Sequence, residues 1–151
     1  MSTGDTFLSP LRELRIVYTT VPSVGSLLTR VGRPSEAADL LRDRLESEPV
    51  EVCVLLLLNT KNQVIGVHEL SRGTLDSCLV HPREVFKVAL LANAAGVIVA
   101  HNHPSGDPTP SPDDIGFCLR LRNCATLLGV DLIDLLIIGQ GRYHSFTENG
   151  Q

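Results

Sequence analysis

Val97-Ile98-Val99-Ala100-His101-Asn102-His103-Pro104-Ser105-Gly106-Asp107-Pro108-Thr109-Pro110-Ser111-Pro112-Asp113-Asp114 is the stretch on which the reading of this chain turns. Its first four residues are an apolar run too short for a helix, which predicts a short buried strand leading into His101. A proline-rich loop follows. Ser111-Pro112-Asp113-Asp114 then has the chemistry of a helix start, with a hydroxyl at the N-cap, proline at the first helical position and acids in the first turn. Strand, loop and helix in direct succession argue for an α/β fold. Along extended chain alternate side chains point the same way, so His101 and His103 can face one centre while Asn102 faces the other side.

Upstream, Pro82 is placed to open a helix whose apolar face, Val85, Ala89, Leu90 and Ala94-Ala95, runs up to Gly96. Before it, Val50 to Thr60 is a nearly continuous apolar run, Lys61-Asn62 a turn, and Val64 to Leu70 β-like again. Together these read as a hairpin whose first strand is central. Ser35, ahead of Glu36, Ala37, Ala38, Leu40, Leu41 and Leu45, suggests an N-capped helix from about Pro34 to Glu48, broken at Pro49. Leu14 to Thr20 has β character, and the stretch from there to Pro34 carries no clear pattern. Downstream, the helix from Pro112 ends at Gly129, and strands Asp131 to Ile138 and Arg142 to Phe146 flank a Gly139-Gln140-Gly141 turn. The expected organisation is a flexible lead-in over 1–13 and one α/β sandwich domain over 14–151.

Composition narrows the function. A net charge of −4 offers no basic surface for neutralising phosphates, which disfavours nucleic-acid partners. The first residues lack a secretory pattern and no run approaches a membrane span, so a cytoplasmic protein without membrane contact is expected. Cys53, Cys78, Cys118 and Cys124 form no C-x-x-C pair, which argues for reduced thiols and against a thiolate zinc site.

Two imidazoles at His101 and His103 make a reasonable zinc bite, and a hydrolytic zinc needs a third protein ligand while keeping one position for water. Asp114, three residues past the Ser111 cap, is the best candidate. A base must still take the proton of that water, and Glu69 on the strand after the hairpin turn is assigned to it, with Glu51 on the neighbouring strand as competitor. Ser111 can donate to an oxyanion. Ser111-x-x-Asp114 is equally a capping pattern, and His68, His81, His144, Asp107 and Asp113 have plainer readings as surface, cap or turn residues.

A Glu on an upstream strand followed by H-x-H-P-x(6)-S-x-x-D resembles the JAMM/MPN+ metalloprotease motif. The wider stretch Val64 to Asp114, with Gly73-Thr74, Val80-His81-Pro82-Arg83-Glu84-Val85, Asn93-Ala94-Ala95 and Ala100 to Asp107, is similar to the RadC family in particular. The resemblance implies a cytidine-deaminase-like three-layer sandwich, a JAB/MPN domain with a mixed central sheet between helices. It implies one Zn2+ per chain on His101, His103 and Asp114, Glu69 as acid/base, Ser111 at the oxyanion, and a peptide or isopeptide substrate. It also brings alternatives: a DNA-repair or mobile-element binding protein, or a metal-dependent nuclease using the same site. Longer RadC proteins carry a helix-hairpin-helix region ahead of this part, and residues before Glu51 show no pair of such hairpins, so a short form is expected. A zincin reading fails because Arg72 stands where a second His would be needed after His68-Glu69, and a nucleobase deaminase would need H-x-E and P-C-x-x-C.

Overall fold

The structure is a computed structural model, and it describes residues 11–20, 28–73 and 80–151. Its elements are α1 (Pro34–Leu45), β1 (Val52–Leu58), β2 (Val64–Arg72), α2 (Pro82–Leu91), β3 (Gly96–Asn102), α3 (Pro112–Leu128), β4 (Asp131–Ile138) and β5 (Tyr143–Ser145). The five strands form one mixed sheet in the order β2-β1-β3-β4-β5. β1 runs antiparallel to both β2 and β3, β3 and β4 are parallel, and β5 returns antiparallel to β4. Every residue of β1 and β3 is buried, as expected for strands covered on both faces.

The pleat sorts those side chains into two cores. Cys53, Leu55, Leu57, Val97 and Val99 pack with Val85, Phe86 and Ala89 of α2 and with Cys118, Leu121 and Ala125 of α3. Val52, Val54, Leu56, Leu58, Ile98 and Ala100 pack with Ala37, Ala38, Leu41 and Leu45 of α1. The result is the three-layer α/β arrangement expected of a JAB/MPN domain. Each fully buried Leu or Val contributes roughly 1.5–3 kcal/mol through area removed from water, so the central strands anchor both layers. Among the described residues no helix is long and apolar enough to cross a membrane, and no disulfide is formed: Cys53 and Cys118 are buried and Cys124 half-buried.

Several expectations are corrected. Leu14 to Thr20 carries no strand and is exposed throughout; β-like composition makes a strand only where the backbone finds a partner. α1 begins at Pro34 with Arg33 as its N-cap residue, whose N–H is bound by the Glu36 carboxylate at 3.2 Å, and it ends at Leu45. α2 ends at Leu91, short of Gly96, because Asn93 takes a left-handed backbone with φ 53°. α3 begins and ends as read, with Gly129 as its left-handed terminus at φ 68°. Thr74, Cys78 and residues 1–10 lie outside the described residues.

Candidate metal centre

His101 is the second-last residue of β3, and by the pleat it belongs to the face that carries Val97 and Val99, against α2 and α3. His103 leaves the strand but still donates its N–H to Ile138 O at 3.0 Å. The loop then turns back: Gly106 N–H binds His103 O at 2.9 Å, and Gln140 N–H binds Gly106 O at 2.9 Å. This docking demands a glycine at 139, since a Cβ there would stand 2.4 Å from Gly106 O and 2.7 Å from Pro108 Cδ. With the loop so held, Asp107 O lies 2.9 Å from His103 Nδ1. A carbonyl only accepts, so Nδ1 carries a proton and Nε2 is the nitrogen turned to the site.

α3 supplies the carboxylate. Ser111 Oγ accepts from Asp114 N–H at 3.1 Å while Asp114 Oδ2 accepts from Ser111 N–H at 2.8 Å, a reciprocal cap that fixes the Asp114 side chain. Its Oδ1 lies 3.1 Å from His101 Nε2 and its Oδ2 3.2 Å from His103 Nε2. Across the His101 ring, Nδ1 lies 3.0 Å from Glu51 Oε1. One ligand atom from each of Glu51, His101, His103 and Asp114 falls within 4.8 Å of all the others.

The electrostatics follow from that crowding. Burial works to lower the His101 imidazole, but the Asp114 and Glu51 carboxylates outweigh it and raise it to about 9. His103 is raised chiefly by Asp114. Burial works to raise Asp114, yet the two imidazoles hold its carboxyl well below the usual carboxylate range. Despite these short approaches, neither buried ring nitrogen of His101 has a well-aligned hydrogen bond among the described residues. Buried polar atoms are normally satisfied, and those that are not call for an explanation. A cation fits this donor set: two imidazoles and two carboxylates converge, and the His103 tautomer is already set for coordination.

The structure thus brings His101, His103, Asp114 and Ser111 together, and it does not bring Glu69. That expectation is corrected. Glu69 pairs with Val54, on the α1 side of the sheet, and β2 is separated from β3 by β1. Its carboxylate instead accepts from Arg72 Nε and Nη2, both at 3.0 Å. Glu51, the competitor, occupies the place. The usable signal is its position at the head of an all-apolar strand that runs antiparallel to β3, which brings the head of β1 beside the tail that ends in His101. His81 caps α2, accepting from Arg83 N–H at 3.1 Å, and His144 pairs with Gln151 Oε1 at 3.1 Å. Asp107 accepts from Thr109 N–H and Oγ1 in a turn, and Asp113 is exposed.

The profile of the RadC-like JAB domain matches residues 31–151, which contain every member of this cluster. The chain belongs to the RadC-like JAB domain family. A UPF0758 protein of Clostridium perfringens is 48% identical over 119 residues, covering 79% of this chain and 52% of that protein. UPF0758 proteins of Clostridium beijerinckii and Clostridium kluyveri are similar at 40% over 140 residues and 46% over 121 residues, covering 93% and 80% of this chain and 61% and 53% of those proteins. The chain therefore spans between about half and three fifths of the length of these relatives. A JAB domain with a Glu/His/His/Asp cluster able to hold a metal ion points to a metal-dependent hydrolase.

Proposed function

We propose that this RadC-like JAB domain is a zinc-dependent hydrolase of peptide or isopeptide bonds, in which His101, His103 and Asp114 hold the ion and Glu51 carries the proton. A nitrogen-and-oxygen donor set of this kind suits zinc, and catalytic zinc sites use three protein ligands with one position open. Zinc held there would supply Lewis acidity and lower the pKa of a bound water to about 7.

The remaining work falls to side chains. Glu51 stands at the edge of the cluster at the head of β1, its Oε1 3.0 Å from His101 Nδ1, and its carboxylate is assigned to take a proton from the attacking water and return it to the leaving nitrogen. Oxygen adds to the carbonyl carbon, the C–N bond breaks, and the amine departs with the proton Glu51 has carried. Ser111 Oγ is used as an acceptor by Asp114 N–H, so its hydroxyl proton is available to the oxyanion, a contact worth roughly 3 kcal/mol. Asp107 O, holding His103 Nδ1–H, keeps that ring from turning away.

The observation that carries this reading is the convergence of Glu51, His101, His103 and Asp114, one ligand atom of each lying within 4.8 Å of the others, with His101 buried between the two carboxylates. Two carboxylates crowded against two imidazoles in a mostly buried pocket are costly to desolvate, and a cation held by one nitrogen of each imidazole and by Asp114 would offset their charge. The net charge of −4 favours an amide over a phosphodiester substrate. The test is a peptide and isopeptide library offered to protein of known zinc content. Cleavage should disappear on chelation, return with zinc, and be lost in Glu51→Gln with the metal still bound. Absence of hydrolysis at full zinc loading, or undiminished turnover in Glu51→Gln, defeats the proposal.

A further inference from the structure

The ladder between β1 and β3 closes at Cys53↔His101, so Glu51 lies two residues beyond the last paired position, close after the Pro49 break. A carboxylate on a frayed strand end would sweep a wide volume. Asn102 prevents this. Its Oδ1 accepts from Val52 N–H at 2.7 Å, and its Nδ2 donates to Val50 O at 3.0 Å and to Glu48 O at 3.3 Å. The partners fix the orientation of the amide, since a flipped group would set its NH2 against an N–H and its oxygen against two carbonyls. Val50 and Val52 bracket Glu51, and on the other side Gly73 N–H binds Glu51 O at 2.8 Å. The backbone of Glu51 is held towards both neighbouring strands, which leaves only its own side-chain torsions free.

Asn102 takes the α1 face of β3 after Ile98 and Ala100, both apolar and in the core. An apolar residue would continue that pattern without desolvating an amide. The amide, 1% exposed, spends all of these bonds on the segment that carries Glu51. We infer that Asn102 is a positioning residue for Glu51, clamping residues 48–52 so that the carboxylate stays beside His101. The inference rests on the role proposed above for Glu51.

The test uses the full chain loaded with cobalt, whose visible spectrum reports on the site without turnover. Asn102→Asp keeps the shape and the bond from Val52 N–H, but sets a carboxylate oxygen against two carbonyls. It should still bind one equivalent of cobalt, since no proposed ligand is altered. The pH midpoint of its spectrum should move in the same direction as in Glu51→Gln, and kcat should fall about 10- to 100-fold with KM little changed. The double variant should lie no lower than Glu51→Gln alone, because a residue acting through Glu51 has nothing left to position. Additive losses in the double variant overturn the inference, as does an unmoved midpoint in Asn102→Asp while Glu51→Gln shifts it. If Glu51→Gln itself moves neither midpoint nor kcat, the role of Glu51 fails and this inference falls with it. Should Asn102→Asp not fold, Asn102→Ser, which retains a single donor, makes the same comparison with a smaller expected shift.

Discussion

His101 and Asn102 are consecutive on β3, both polar, and almost equally buried at 3% and 1% exposure. On the α1 side, Asn102 has a partner for its oxygen and two for its nitrogen, and nearby Arg72 joins the carboxylates of Glu48 and Glu69. On the α3 side, both ring nitrogens of His101 lie 3.0 and 3.1 Å from carboxylates without a well-aligned hydrogen bond among the described residues. One strand end therefore builds a satisfied latch on one face and an unsatisfied donor set on the other. The difference separates polar groups that hold the fold from polar groups whose partner comes from outside it.

Neutralising one carboxylate from each face should separate the two most strongly. Glu51→Gln should lower turnover by about 10²–10⁴-fold, the usual range for a positioned acid/base, while Glu69→Gln leaves it nearly unchanged. A reversed order, measured as kcat on any peptide the wild type cleaves, would return the proton to the α1 face. A smaller effect is expected from Gly139→Ala, whose methyl would collide with the loop that carries His103. It should destabilise the protein by about 1–3 kcal/mol, as overpacking does, and weaken metal binding, read by denaturant titration and a chelator competition. An unchanged metal affinity would show that the loop docking does not serve the site.

The smallest effect concerns the latch face. Arg72 holds the Glu48 carboxyl below its ordinary value of 4.5, opposed by modest burial. With the folded value depressed, the pair stabilises the protein above that ordinary value and loses its contribution as pH falls through the folded one. Arg72→Ala should thus lower Tm by no more than about 2 °C at neutral pH, since the pair is half exposed, and the difference from wild type should vanish in acid. Bound metal should not change. Loss of metal in Arg72→Ala would mean that the two faces are not separable.

The parts of the site legible in the sequence are the local ones. His101 and His103 follow from strand alternation, and Asp114 from a helix start three residues past Ser111; each lies within the single strand-loop-helix run. The proton-carrying carboxylate is not local. Choosing between Glu51 and Glu69 requires the non-local pairing of β1 with β3 and the β1–β2 register, which shifts at Cys53/Val54 and again at Leu57/Leu58. Each such shift changes which side chains share a face, and a count along the sequence does not see it. The fold shows the same division: α3 and β4 are bounded by glycine and proline as read, whereas the early end of α2 depends on Asn93 adopting a conformation that many asparagines do not.

The most direct measurement is anomalous diffraction at the zinc edge from crystals of the protein purified without added chelator. One peak per chain is expected, about 2.0–2.2 Å from Nε2 of His101 and His103 and from an Asp114 carboxylate oxygen, with Glu51 beside the His101 ring at the head of β1. A peak at the cysteines, or none at these residues after zinc is supplied, would contradict it.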